Sequence, residues 1–337
     1  MSKLKIGLFG VGHLGKIHLK CLAESGLFDF LGFYDPDDKI AHEVSVNYRV
    51  KRYTDPDQLI QESDVLDIVT PTLSHYEIAK QCILKGKHVF IEKPLTQTLA
   101  QAEELLDLLE DFPVKAQVGH VERFNPSFLS IENRVLDPMF IEAQRLSTFQ
   151  TRGTDVSVVM DLMIHDIDII LHLVKSPIKK VDASGLAILT STPDISNARI
   201  EFENGCVANL TASRLALKQV RKMSVYQTDN YITLDFLKKD VQVVSLNNSK
   251  YEIKYGAKYM ELDSEIGSKF ISFEKPKIYH TNAIKMELDC FHQSIRENIP
   301  ERISIKDGYR ALKLAFEIND QIKTSNLILS ETKNGLV

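Results

Sequence analysis

Three side chains stand out for the chemistry they could do: an ammonium at Lys93, a carboxylate at Asp161 and an imidazole at His165. Histidine is the natural general base near neutral pH. A carboxylate four residues earlier on a helix shares its face and can orient the ring or stabilise its protonated form. Lys93 belongs to Glu92-Lys93-Pro94, directly after the apolar run HVFI. An ammonium held beside a hydride acceptor stabilises an alkoxide as hydride leaves and lowers the pKa of the alcohol. Base, orienting acid and charge stabiliser together are a set suited to oxidising a secondary alcohol. Each also has a plainer reading, as a solvated lysine at a strand end or as the wet side of an amphipathic helix.

A hydride acceptor needs a binding site, and Gly10-Val11-Gly12-His13-Leu14-Gly15 has the pattern for one. It follows the apolar run Leu4 to Phe9 and opens a helical pattern. There, glycines allow a tight turn and close backbone approach to a pyrophosphate, and the N–H groups at a helix start meet the anion. Gly10, Gly12, His13, Leu14 and Gly15 are therefore candidate cofactor contacts. Asp35 ends the second apolar run, 20 residues past Gly15, where a carboxylate hydrogen-bonds the adenosine ribose. Pro36, Asp37 and Asp38 follow with no arginine, so a 2′-phosphate would meet repulsion, and NAD is expected rather than NADP. Thr70-Pro71 and Glu92-Lys93-Pro94 follow the runs VLDIV and HVFI, and both turns should border the cofactor, because ligands of such sheets lie at the carboxyl ends of the strands.

These residues require elements to hold them. Up to about Gly119, short apolar runs alternate with amphipathic stretches: KIGLFG and a helix from His13, FLGFY and 37–47, VLDIV and 74–85, HVFI and 98–111, then KAQVG. Such alternation winds a parallel sheet through βαβ units. Ser74 with Glu77 reads as a capping box, and Gly86 as the glycine that ends the same helix. Beyond Gly119 a long helical pattern runs from Val156 to Val174. In it Ser157, Asp161, His165, Asp168 and His172 form a narrow polar stripe flanked by large apolar residues. Alternating runs between about 181 and 274 predict a mainly antiparallel sheet. Asn204-Gly205 should turn a hairpin there, with both residues at positive φ. Helical patterns at 282–297 and 307–323 close the chain. The predicted class is α/β, with a dinucleotide-binding domain over 1–120 and a sheet-rich substrate domain over 121–337.

Composition narrows the function further. The 337 residues exceed what a single core usually serves, which supports two domains. A formal charge of -5 leaves no basic footprint, so nucleic acid is not an expected partner. Cys21, Cys82, Cys206 and Cys290 lie far apart without a CxxC pair, and no HExxH pattern accompanies Asp161 and His165, so neither a disulfide framework nor a metal is expected. The absence of a signal-peptide pattern and of a run of 18 apolar residues leads us to expect a cytoplasmic protein that does not span a membrane.

GVGHLG, TPTLSHYEIA, FIEKPL and DLMIH in that order, with a closing DGYRALKLAFEI helix, resemble the Gfo/Idh/MocA oxidoreductases along essentially the whole chain. The resemblance implies a Rossmann domain followed by an α/β domain. The large, mainly antiparallel open sheet of that second domain often makes a homodimer or homotetramer contact. It also implies that Lys93, Asp161 and His165 act at the substrate, and it adds His75 of TPTLSHYEIA to the residues bordering the cofactor. A narrower likeness lies in GHVERFNP (119–126), IEAQRLSTFQTRGTDVSVV (141–159) and the DLMIHDID run, which are similar to nucleotide-sugar 3-dehydrogenases of that family. It departs from them at Thr148-Phe149, where a proline is expected after the serine. Those enzymes oxidise the 3-hydroxyl of a UDP-N-acetylhexosamine to a ketone that an aminotransferase takes up, as in building diamino-sugar lipid A. The same stretches supply Arg123, Asn125, Arg145 and Arg152 as candidate substrate contacts, guanidinium groups being well shaped for a diphosphate.

The expectation that results is NAD-dependent oxidation of a sugar hydroxyl, most specifically on a UDP-N-acetylhexosamine. A dehydrogenase of a free polyol or hexose such as inositol is one alternative. A catalytically silent NAD-binding regulatory protein is another, disfavoured because such a protein has no need of Lys93, Asp161 and His165 together.

Overall fold

The structure, a computed structural model, describes residues 2–150, 156–253, 258–264 and 267–334. The chain divides into two compact units, Met1–Phe124 with Asn282–Lys313, and Asn125–Thr281 with Leu314–Val337.

In the first unit, β1 (Leu4–Phe9), α1 (His13–Ser25), β2 (Phe28–Tyr34), α2 (Asp38–Tyr48), β3 (Arg52–Tyr53), α3 (Pro56–Glu62), β4 (Val65–Ile68), α4 (His75–Leu84), β5 (His88–Glu92), α5 (Leu99–Asp111) and β6 (Ala116–Gly119) follow in turn. Their strands form a six-stranded sheet in the order β3-β2-β1-β4-β5-β6, parallel throughout. The order reverses between β1 and β4, and such a switch point opens a crevice at the carboxyl ends of the strands. Ile6, Leu8, Val65, Leu66, Val89 and Phe90 are fully buried. Sheets covered by helices on both faces select such continuous apolar runs.

The predicted Ser74–Glu77 capping box does not form. Residues Thr72–Ser74 make a 3-10 turn, and Ser74 is itself in a right-handed helical conformation that makes no side-chain cap bond. A capping box occurs instead at α5. There the Thr98 hydroxyl accepts the Gln101 N–H and the Gln101 side chain accepts the Thr98 N–H. Gly86 ends α4 at φ +69, as its position suggested.

The second unit opens with a short helix, α6 (Pro126–Leu129), and β7 (Phe140–Leu146). The helix predicted over 156–174 is a π turn, Val159–Met163, running into α7 (Ile164–Leu173). After it come β8 (Ile178–Leu186), β9 (Ile195–Phe202), β10 (Val207–Ser213), β11 (Val220–Tyr226), β12 (Asn230–Asp235), β13 (Asp240–Asn247), β14 (Lys258–Ser264) and β15 (Gly267–Glu274). These strands form a nine-stranded sheet in the order β14-β15-β13-β12-β11-β7-β10-β9-β8. All neighbours are antiparallel except β7 with β10. The hairpin at Asn204-Gly205 is present, but only Gly205 has positive φ, +87. The Phe202 N–H meets the Cys206 carbonyl, leaving a three-residue loop in place of the two-residue turn. That loop needs just one left-handed residue.

Two helices close the chain, α8 (Ala283–Glu297) and α9 (Ile305–Asn334). Contrary to the expectation that 121–337 forms one domain, α8 belongs to the first unit. Its Leu288 and Phe291 join the apolar cluster of Ile6, Leu22, Phe33 and Phe90, and the Phe90 and Phe291 rings lie 6.0 Å apart. The boundary after 120 shifts slightly to Phe124/Asn125.

Candidate active site

The glycine loop is built by exclusion. A Cβ on Gly10, which has φ +88, would sit 2.8 Å from the Val69 carbonyl oxygen, and one on Gly15 would sit 2.1 Å from the Gly10 oxygen. Loop and α1 can therefore close on each other only with glycine at these positions. Gly12 differs, since nothing lies within 4 Å of where its Cβ would be. It precedes His13 and Leu14 at the start of α1, a terminus with no side-chain cap and no acidic residue in its first turn. An open approach to uncapped helix amides suits a pyrophosphate. Asp35 sits just past β2. Its carboxylate accepts the N–H of Val11 at 2.8 Å and of Asp37 at 2.9 Å, so it also ties the loop to the strand beside it. Thr70, just past β4, holds a buried Oγ1 with no hydrogen-bond partner, and Pro71 leads from it into the 3-10 turn. These residues fit a dinucleotide: Gly10 and Gly15 shape the loop, Gly12 would leave room for phosphates, Asp35 would be available to a ribose, and Thr70 has a hydroxyl without a hydrogen-bond partner.

The Glu92-Lys93-Pro94 turn continues β5, and its Lys93–Pro94 peptide is cis. Glu92 is only 6% exposed. Its Oε2 accepts the Lys93 N–H at 3.1 Å, and its Oε1 lies 3.1 Å from His18 Nε2. His18, fully buried on α1, places Nδ1 2.9 Å from Asp67 Oδ2. Burial alone would lower the His18 pKa, but the charges of Asp67 and Glu92 and the hydrogen bonds to them outweigh it and hold the ring well above its ordinary value. Neither His18 nor Asp67 was among the predicted site residues. A signal existed for Asp67, the lone polar residue of the apolar run VLDIV, because buried polar groups require partners; His18 shares HLGKIHLKCL with His13, Lys16 and Lys20 and had none.

His75, expected at the cofactor, is 1% exposed. Its Nδ1 lies 3.0 Å from the Pro94 carbonyl and its Nε2 2.9 Å from the Thr70 carbonyl. Both ring nitrogens thus face backbone carbonyls of the two turns, and a neutral ring donates to one of them at a time. Burial pulls its pKa below the ordinary value against these two carbonyls, which pull it up. The Arg123 side chain is buried in the first unit, with Nη2 4.0 Å from Asp307.

In the second unit Asp161 lies on the π turn, its N–H donating to the Ser157 carbonyl at 3.0 Å, and His165 lies in the first turn of α7. Both side chains are half-buried. π turns inside helices are frequent at functional sites. The polar stripe does not stay at the surface: Asp168 is 1% exposed, and the half-buried His172 packs its ring against Phe128 at 5.8 Å. Arg145 is committed elsewhere than expected. Its Nε and Nη2 grip the buried Asp166 carboxylate at 3.0 and 2.9 Å, which neutralises the charge a diphosphate would need. Asn125 is likewise engaged in the fold, accepting the Ser127 N–H at 3.0 Å and donating to the Phe236 carbonyl at 3.1 Å. Arg152 lies outside the described residues. Among the described residues no group of three or more His, Cys, Asp or Glu side chains could hold a metal ion, and no helix is long and apolar enough to cross a membrane.

A doubly wound parallel sheet with a glycine loop at its switch point and an acid at the end of β2 defines a dinucleotide-binding oxidoreductase domain. The chain belongs to the GFO/IDH/MocA family. The model for the oxidoreductase family with an NAD-binding Rossmann fold matches residues 4–120, and that for the GFO/IDH/MocA C-terminal domain matches 129–233. The chain is an oxidoreductase, and its cofactor is NAD. It is similar to UDP-N-acetylglucosamine 3-dehydrogenase of Acidithiobacillus ferrooxidans, 34% identical over 244 residues that cover 72% of this chain and 77% of the relative. A solved structure of that dehydrogenase matches with a TM-score of 0.86 at 28% identity, covering 96% of this chain and 99% of the other. The scyllo-inositol 2-dehydrogenase (NAD(+)) of Bacillus subtilis is 25% identical over 274 residues, 74% of this chain and 80% of the relative.

Proposed function

We propose that this protein oxidises the 3-hydroxyl of a UDP-N-acetylhexosamine to the ketone. The observation that carries the reading is the likeness to UDP-N-acetylglucosamine 3-dehydrogenase, 34% identity over 72% of the chain. Lys93, Asp161 and His165 supply the chemistry on this reading. The imidazole of His165 takes the hydroxyl proton, and Asp161 orients that ring and stabilises its charged form. The Lys93 ammonium donates to the same oxygen as negative charge grows on it. NAD, held at Gly10–Gly15, Asp35 and Thr70-Pro71, supplies the two-electron acceptor when bound. The 3-ketone is the kind of product an aminotransferase consumes, which places such an enzyme next in sequence. The homodimer or homotetramer expected of this family is part of the same proposal.

The test is a substrate panel followed at the NADH absorbance band, with UDP-N-acetylglucosamine, UDP-N-acetylgalactosamine, inositol and free hexoses. A coupled transamination draws off the ketone, so that an equilibrium lying toward the alcohol does not hide turnover. Turnover of a UDP-sugar together with binding of UDP alone is the expected result. Turnover of inositol without measurable affinity for UDP would replace this reading with that of a polyol dehydrogenase, which the 25% identity to the scyllo-inositol enzyme makes the second choice.

A further inference from the structure

Lys93 extends from a turn, and turns are the parts of a fold least fixed by their own hydrogen bonds. What fixes this one is a chain of close polar contacts through the interior of the first unit. Asp67 Oδ2, fully buried on β4, lies 2.9 Å from His18 Nδ1. His18 Nε2 lies 3.1 Å from Glu92 Oε1, and Glu92 Oε2 accepts the backbone N–H of Lys93 at 3.1 Å. Both ring nitrogens face carboxylates, and only the imidazolium can donate from both. The carboxylate has room because residue 119 is glycine: a Cβ there would sit 2.8 Å from Glu92 Oε1 and 2.9 Å from its carboxyl carbon. Packing alone does not call for this arrangement, since apolar side chains of similar volume would hold α1 against the sheet at least as well as three buried ionisable groups.

We propose that His18 is a positioning residue for Lys93: anchored on Asp67, it fixes the Glu92 carboxylate, and Glu92 fixes the backbone from which the Lys93 ammonium extends. The inference rests on the reading of Lys93 as the group that stabilises the reacting oxygen.

Two substitutions of His18 separate the two contacts. His18→Gln keeps a side-chain donor near the place of Nε2, toward Glu92, whereas His18→Asn keeps one near the place of Nδ1, toward Asp67. Gly119→Ala displaces the Glu92 carboxylate and leaves His18 and Asp67 untouched, so it serves even if the His18 variants fold poorly. We expect His18→Asn and Gly119→Ala each to lower kcat about 10- to 100-fold while KM for NAD changes by less than about threefold. His18→Gln should retain more of kcat than His18→Asn, and the His18→Asn/Gly119→Ala double variant should fall no further than the weaker single one, because both act on one carboxylate. The inference is overturned if His18→Asn and Gly119→Ala turn over like the parent enzyme. It is also overturned if kcat and NAD affinity collapse together, or if His18→Asn outperforms His18→Gln. Lys93→Ala distinguishes the two levels. An inactive Lys93→Ala beside fully active His18→Asn and Gly119→Ala removes this inference alone, and an active Lys93→Ala removes the role of Lys93 itself.

Discussion

His165→Ala should lower kcat about 100- to 10,000-fold, the usual worth of a positioned general base, with NAD affinity by calorimetry nearly unchanged. Parallel loss of both would assign the residue to folding or to the cofactor. Arg145→Ala tests the opposite kind of role. Removing one partner from a buried, doubly bonded ion pair costs about 3 to 5 kcal/mol, so its urea midpoint should fall sharply, and an unmoved midpoint would return Arg145 to the substrate. The contrast between these residues explains what sequence could and could not say. Gly10, Gly12, Gly15 and Asp35 were legible because backbone geometry fixes their spacing. The Arg145–Asp166 pair joins residues 21 positions apart on a strand and a helix, which leaves no local pattern. The sequence did hold a hint, because Asp166 lies in an apolar helix and off the polar stripe.

Among the elements, the glycine loop and α1 form a unit whose three glycines do different work. Gly12→Ala should fold like the parent and bind NAD more weakly, because open space surrounds the added methyl until a ligand arrives. Gly15→Ala should lose both stability and NAD binding, since its methyl would meet a carbonyl oxygen at 2.1 Å. Thermal melts with and without NAD distinguish the two, and an unaffected affinity in Gly12→Ala would mean that no ligand approaches that position. Most strands and helices of the first unit could be read from alternation, because covered parallel strands are continuous apolar runs. The exceptions have physical causes. β3 is two residues long and α3 seven, too short to show a period. The π turn at Val159–Met163 differs from an α-helical turn by a single residue, which a short apolar pattern cannot register.

For the molecule as a whole, the buried imidazolium predicts a pH dependence with a definite sign. Asp67 and Glu92 hold the folded-state pKa of His18 above its unfolded value despite burial. The stabilisation is therefore complete below about pH 6.5, the ordinary value, and is lost as pH rises through the raised folded value. Urea midpoints taken from pH 6 to 9 should decline on the alkaline side, and His18→Asn should flatten that decline; an equally steep decline in the variant would place its origin in another group. The division of the chain was the least legible feature. The 282–297 helix was foreseen, but its return to the first unit was not, because an amphipathic pattern does not say which sheet its apolar face will meet. A fragment of residues 1–124 should accordingly bind a hydrophobic dye and resist folding, whereas the same fragment fused through a short linker to 282–313 should melt cooperatively. Cooperative melting of the short fragment would show α8 to be dispensable.

The place of α8 in the chain also sets a timetable. A ribosome releases β1–β6 first, but Leu288 and Phe291, which seal the Phe28 and Phe90 side of that sheet, emerge only after the nine strands of the second unit. The cofactor-binding layer is thus begun first and sealed late, and the part of its apolar face that α8 covers must be kept from aggregation during most of synthesis. A message truncated anywhere before the codons of α8 would yield a product that leaves this face exposed, open to chaperones and proteases.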